Sequence, residues 1–120
     1  MTQNTIGFDF GDVVLVPFPF TDQSGAKRRP AIVVSSAAYH RTRADVVVMA
    51  VTGRAAPASS TPGETVIIDW KGAGLIKSSV AKPVVATLER HLVLERLGAL
   101  QQGDRDPVRR ALGWIFGFAG

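Results

Sequence analysis

GDVVLVPFPFTDQSGAKRRPAIVVSS, residues 11–36, sets two apolar, β-branched runs on either side of a polar loop that carries a glycine. Val13 to Phe18 read as the first strand, apolar on both faces and therefore buried. Pro17 and Pro19 fall at its far end, where a missing N–H is tolerated. Pro30 to Ser36 read as the second strand. The loop between them, Thr21 to Arg28, leads into three consecutive cations, Lys27, Arg28 and Arg29. Positive charge clustered on a loop that two strands hold is a site for an anionic ligand.

Working outward, Ala37 to Ala44 form a polar connection and Asp45 to Thr52 a third strand. Gly53 to Gly63, rich in Ala, Gly, Pro, Ser and Thr, form a loop. Thr65 to Asp69 read as a fourth strand, and a Gly-Ala-Gly turn then leads to a fifth, Val80 to Leu88. Pro83 inside that fifth strand requires a sheet edge or a bulge. Glu89 to Gly98 read as a short helical turn stopped by Gly98. Asp106 can cap a helix with Pro107 in its first position. Val108, Ala111, Leu112 and Ile115 follow at helical spacing, and Trp114, Phe116 and Phe118 widen the apolar stripe. Short strands with hairpin-sized connections predict a mainly β fold. It is a small, strongly bent antiparallel barrel, partly open, with a C-terminal amphipathic helix covering its open side.

At 120 residues and 46% hydrophobic content the chain makes one domain, with residues 1–9 as a flexible lead-in and residues 10–120 as the folded unit. A net charge of +4 is compatible with phosphate-rich partners without identifying one. With no cysteine there are no disulfides or thiolate metal sites, which suits a reducing cytoplasm. No apolar run is long enough to span a bilayer, and no signal peptide is visible. No Asp/Glu/His set has metal-ligand spacing. His40, in the connection, and His91, after the fifth strand, read as separate surface histidines.

Pairing the second and third strands through residues 37–44 predicts a register. Val33 meets Val48, Ala31 meets Ala50, and Arg29 meets Thr52. Opposed residues share one face of a sheet, so a guanidinium and a hydroxyl stand side by side, with a small alanine pair beneath them leaving room for a ligand. A slip of one residue would separate them.

These residues carry a resemblance. Gly11-Asp12-Val13, Arg29-Pro30-Ala31-Ile32-Val33-Val34 and Ala50-Val51-Thr52 are followed by Ala73-Gly74-Leu75, Ser79, Thr87-Leu88 and Leu97-Gly98-Ala99-Leu100. In that order, over residues 10–117, the sequence resembles the MazF/PemK (CcdB-like) toxins, the mRNA interferases of bacterial toxin–antitoxin systems. The resemblance implies an SH3-like barrel, a homodimer, neutralisation by a cognate antitoxin, and no cofactor. It also implies sequence-selective, metal-independent cleavage of single-stranded RNA through a 2′,3′-cyclic phosphate. It places the catalytic arginine on Arg29 and the catalytic threonine on Thr52. Ser78 stands where a proline commonly precedes the family serine.

Arg29 offers a planar fork of donors matched to the oxygens of a pentacoordinate phosphorus, and Thr52 adds a hydroxyl. A guanidinium does not give up its proton in a protein, so the proton acceptor is another group: Asp22 in the loop, water or the substrate itself. Without the resemblance, Arg29 is an ordinary surface arginine, Thr52 a strand-end threonine and Asp22 a turn former. Lys27 and Arg28 read as phosphate contacts or as a solvated loop. Trp70 reads as a base-stacking platform or as core, and Lys77 and Ser79 as groove or turn residues. The rival to an enzyme is a non-catalytic SH3-like barrel that binds nucleic acid or a protein partner.

Overall fold

The structure, a computed structural model, describes residues 7–18, 27–54 and 61–118. Six strands form one antiparallel sheet: β1 (Asp12–Phe18), β2 (Lys27–Val33), β3 (Asp45–Gly53), β4 (Thr65–Ile67), β5 (Ser79–Glu89) and β6 (Glu95–Ala99). Their spatial order is β4-β5-β3-β2-β1-β6. The sheet curls into a half-barrel. A short helix, α1 (Ala37–Thr42), joins β2 to β3, and a longer one, α2 (Gln102–Phe116), closes one side.

Both faces of the sheet are buried, which is why its strands read as nearly continuous apolar runs. Val13, Ile32, Met49, Val51 and Ala81 face α2 and pack with its Val108. The alternate residues Val14, Val16, Ala31, Val33, Val48 and Ala50 point the other way and pack with one another and with Phe8 and Leu88. Period-two alternation thus sorts the side chains of each strand between two cores.

Several elements depart from the sequence reading. The second strand begins at Lys27 and ends at Val33, because Lys27, Arg28 and Arg29 pair with Phe18, Pro17 and Val16 of β1. The three cations therefore lie on a strand, with Lys27 and Arg29 on one face and Arg28 on the other. The connection after β2 contains a helical turn, capped by Ser36, whose Oγ accepts a hydrogen bond from the Tyr39 N–H at 3.1 Å. Residues 89–98 hold a single 3-10 turn, Arg90–Leu92, and then strand β6, which pairs with β1. Gly98 is no helix stop; a side chain there would run into the Ala73 carbonyl as β6 crosses the Gly-Ala-Gly turn. Pro83 does mark a bulge. Met49 pairs with Val85 and Val51 with Ala81, so Ala50 faces the whole segment Lys82-Pro83-Val84.

The last helix starts at Gln102, a turn before Asp106, so that Pro107 lies inside it. Asp104, 1% exposed in the first turn, explains the earlier start. Its carboxylate accepts from the N–H groups of Ile68 (3.0 Å) and Asp69 (2.9 Å), tying the helix to the turn after β4. Val108, Leu112 and Ile115 face the core as the periodicity predicts, but Trp114 (67%), Phe116 (52%) and Phe118 (70%) are exposed. His40 is buried rather than on the surface, while His91 is exposed beside Glu89.

Asp104→Ala strands two backbone donors, each costing about 1–3 kcal/mol when left unbonded in the interior. We expect a loss of about 2–4 kcal/mol in urea unfolding with an unchanged m-value, whereas Asp106→Ala on the exposed side of the same helix leaves the midpoint nearly unmoved.

Candidate active site

The predicted register is the one observed. Ala31 pairs with Ala50, Ile32 with Met49 and Val33 with Val48. Continued outward by two residues, it sets Arg29 beside Thr52, and both line one cavity of about 230 Å³ with Lys82 and Val84. Arg29 and Ala31 share a face of β2, and Thr52 and Ala50 share that same face of β3. The site lies on the side of the sheet away from α2. Arg29 and Thr52 are both half-buried.

Lys82 and Val84 were not singled out in the sequence. The bulge at Pro83 places both beside Ala50, and Lys82 is then fixed by Glu64. Its Nζ donates to Glu64 Oε2 at 2.6 Å, and Arg54 Nη2 donates to both oxygens of the same carboxylate at 3.3 Å. The Glu64 side chain is only 7% exposed. The hydrogen bond from Lys82 holds its carboxyl below the usual range, against the opposing effect of burial. The charges here are one carboxylate against Arg54 and Lys82, with Arg29 nearby, so the region stays positive. The one local signal for Lys82 was a cation beside a strand proline; its carboxylate partner stands 18 residues earlier.

The other predicted residues divide. The Lys77 stem lies where a Gly53 side chain would point, on the face of β3 opposite Thr52, and is not part of the cavity lining. Ser79 is buried, pairs with Gly53 and donates its Oγ–H to the Lys77 carbonyl at 2.8 Å, which makes it a brace for that corner. Lys27 is on the Arg29 face and Arg28 on the opposite one. Trp70 packs against the helix-side core with Lys71 Nζ 5.5 Å from its ring centroid, remote from Arg29 in the layering of the sheet. Asp22 lies outside the described residues. Among the described residues there is no group of three or more His, Asp or Glu that could hold a metal ion, and no helix long and apolar enough to cross a membrane.

Residues 9–116 match the model of a family described as PemK-like, MazF-like toxins of type II toxin–antitoxin systems. Among solved structures, the MazE–MazF complex from Deinococcus radiodurans is similar at 28% identity and a TM-score of 0.72, over 95% of this chain and 100% of that one. MazF alone from the same organism is similar at 27% identity and a TM-score of 0.72, over 94% and 99%. A mycobacterial endoribonuclease shares the fold at 19% identity and a TM-score of 0.73, over 98% and 99%. No curated protein sequence matches the chain.

A depressed carboxylate pKa stabilises the folded state above the unfolded value, about 4.3 for Glu, and that contribution disappears as pH falls through the lower folded value. Glu64→Gln is therefore expected to melt below the wild type at neutral pH, with the gap in Tm closing as the solution is acidified through the carboxylate range. Thermal unfolding across a pH series checks this; a gap of constant size would assign the loss to packing instead.

Proposed function

The chain belongs to the family of PemK-like, MazF-like toxins of type II toxin–antitoxin systems, and from that premise we propose that it is an endoribonuclease cutting single-stranded RNA at the Arg29–Thr52 cavity. The observation that carries the proposal is the lining itself: Arg29, Thr52 and Lys82, two cations and a hydroxyl, around a small opening with no carboxylate among its lining residues. Such a lining suits a phosphodiester, whose charge grows on the way to the transition state. The Deinococcus relative is a MazE–MazF complex and the mycobacterial neighbour an endoribonuclease. A cognate antitoxin as partner, RNA as substrate and a cytoplasmic site of action are part of the proposal for this chain, and the MazE–MazF pairing of the Deinococcus relative supports the first.

In the proposed reaction the ribose 2′-oxygen attacks the adjacent phosphorus and the P–O5′ bond breaks. The products are a 2′,3′-cyclic phosphate and a 5′-hydroxyl, and the proton of the 2′-hydroxyl ends, in net terms, on the 5′-oxygen. Arg29 and Lys82 stabilise the added charge on the phosphoryl oxygens, and Thr52 donates a hydrogen bond to one of them. Placed beside the phosphate, the two cations also favour ionisation of the 2′-hydroxyl, so the proton can leave to water or to Asp22 without Arg29 acting as a base.

Incubation with a single-stranded transcript in EDTA tests this. Cleavage leaving cyclic phosphate ends is expected, with Arg29→Ala and Thr52→Ala each slowing it about 10²–10³-fold, the cost of removing one preorganised donor. Lys82→Ala is expected to slow it as well, with kcat falling more than KM rises. RNA binding with no cleavage by the wild type would instead establish a silent binding module.

We also propose that the toxin is a homodimer. Trp114, Phe116 and Phe118 project from the end of α2, with the two phenylalanine rings 6.1 Å apart, and Ile68 (77% exposed) stands on the turn against which α2 docks. Sedimentation at micromolar concentration should give twice the chain mass, and Trp114→Glu with Phe116→Glu should give one; a wild-type monomer would overturn the assignment.

A further inference from the structure

We infer that the corner where α1, the 3-10 turn and residues 7–8 meet is a second phosphate-binding subsite, which takes the backbone of single-stranded RNA beyond the Arg29–Thr52 cavity; the inference rests on the proposed RNA-cleaving function. A cavity of about 430 Å³ opens there, with Phe8, His40, Arg41 and Arg90 in its lining and no carboxylate among the lining residues.

The two arginines stand apart from most others in the chain. Arg43 is bound to Asp45, Arg54 to Glu64, Arg96 to Asp12 and Arg109 to Asp106. The guanidinium groups of Arg41 and Arg90 have no carboxylate or hydrogen-bond partner among the described residues. Arg43, which follows Arg41 by two residues, is already committed, and its hydrogen bond holds the Asp45 carboxyl below the usual range. Two unspent planar forks on one opening match phosphate oxygens in shape and charge.

The wall between them is rigid. The Phe8 carbonyl can only accept, so His40 Nδ1 carries the proton of the 2.7 Å bond between them. The other ring nitrogen, Nε2, is hydrogen-bonded to Ser35 Oγ at 2.6 Å, and Ser35 Oγ in turn accepts the Val47 N–H at 2.9 Å. His40 is thus a positioning residue that clamps Phe8 to β3, edge-on to the Phe8 ring with centroids 6.5 Å apart. Phe8, held through its backbone and with the Arg96 guanidinium 5.5 Å from its ring centroid, lines the opening beside Arg41 and Arg90 and brings a third cation close to it.

The placement connects the corner to the cavity. Phe8 packs on the same side of the sheet as Ala31 and Ala50, the side that carries Arg29 and Thr52. β3 starts just after Ala44, whose carbonyl accepts the Arg90 N–H at 2.9 Å, and from Asp45 it runs to Thr52 at the cavity in seven steps of about 3.3 Å each, or roughly 23 Å. A strand several nucleotides long spans that distance, and a very short one does not. An acidic protein segment would satisfy the arginines alone; alignment with the cavity on one side of the sheet favours the nucleic acid.

The test uses the full chain in a Thr52→Ala background, so that bound RNA is not cut, and fluorescence anisotropy with a labelled trinucleotide and a labelled decanucleotide over a salt series. With Arg41→Gln and Arg90→Gln added, the decanucleotide is expected to bind about 10-fold or more weakly, with the slope of log K against log salt reduced by about 1.4 for two lost single-strand phosphate contacts. Trinucleotide affinity should be unchanged. In the wild-type background the same pair should raise KM for a long transcript and leave kcat alone. Lys71→Gln with Arg110→Gln removes the same charge elsewhere and should have a much smaller effect. Unchanged decanucleotide affinity overturns the subsite while leaving the nuclease reading intact. So do an equal loss on both RNA lengths, an equal loss from the charge control, or lost binding of an acidic peptide with RNA binding retained. Failure of the starting protein to bind either RNA overturns both.

Discussion

Ala31 and Ala50 pair across β2 and β3, with Ile32–Met49 and Val33–Val48 following in step, all fully buried. A one-residue slip would send Ile32 and Met49 to opposite sides of the sheet and turn Arg29 away from Thr52. Because the sheet is packed on both faces, neither core tolerates that exchange: the helix side is built for Ile32 and Met49, the other for small and β-branched side chains. The hydrophobic packing that fixes the register therefore also fixes the distance between a guanidinium and a hydroxyl at the end of the ladder.

The bulge on β5 completes the site by a different route. Two extra residues opposite Ala50 let Lys82 and Val84 both border the opening, and Pro83 between them sits where a ladder hydrogen bond is already interrupted. Lys82 would be free to sweep through solvent on its long stem, but Glu64, arriving from just before β4, holds it, and Arg54 holds Glu64. An ion pair among groups this shielded contributes mainly orientation, and a cation already oriented loses less entropy when a phosphate enters.

What was legible in the sequence was what local pattern and pairing determine. The runs 13–18, 45–52 and 80–88 are dense in valine, and their strands appear nearly as read; the Ala31–Ala50 register followed from matching one apolar hairpin to another. β6 was missed because Glu95-Arg96-Leu97-Gly98-Ala99 has no β-branched residue, and its pairing with β1 is a tertiary effect. The start of α2 was misplaced because Asp106-Pro107 mimics a helix beginning, while the buried contact that decides it joins Asp104 to Ile68. His40 looked like a surface residue because its two hydrogen-bond partners are a serine on the preceding turn and a backbone carbonyl 32 positions away. Lys82 needed both a bulge and a distant carboxylate. In each case the missing information was long-range contact, which period and propensity do not carry.

The placement of the acidic residues explains why two openings are lined by cations without a carboxylate. The chain has 10 Asp and Glu against 14 Lys and Arg, and the structure spends its carboxylates as internal staples. Asp12 binds Arg96 and the Asp9 N–H, joining β1 to β6 and to the entering chain. Asp104 ties α2 to the turn after β4, Glu64 secures β5, and Asp45 secures the start of β3. Each staple consumes negative charge at a joint between elements, and none lies in the lining of the Arg29 cavity or of the Arg41–Arg90 corner. A fold stabilised in this way keeps its carboxylates out of the lining of both openings and leaves cations there. A mild net charge, uninformative as a sum, thereby becomes concentrated where a polyanion can meet it, and the same ion pairs that hold the half-barrel together also set its electrostatic polarity.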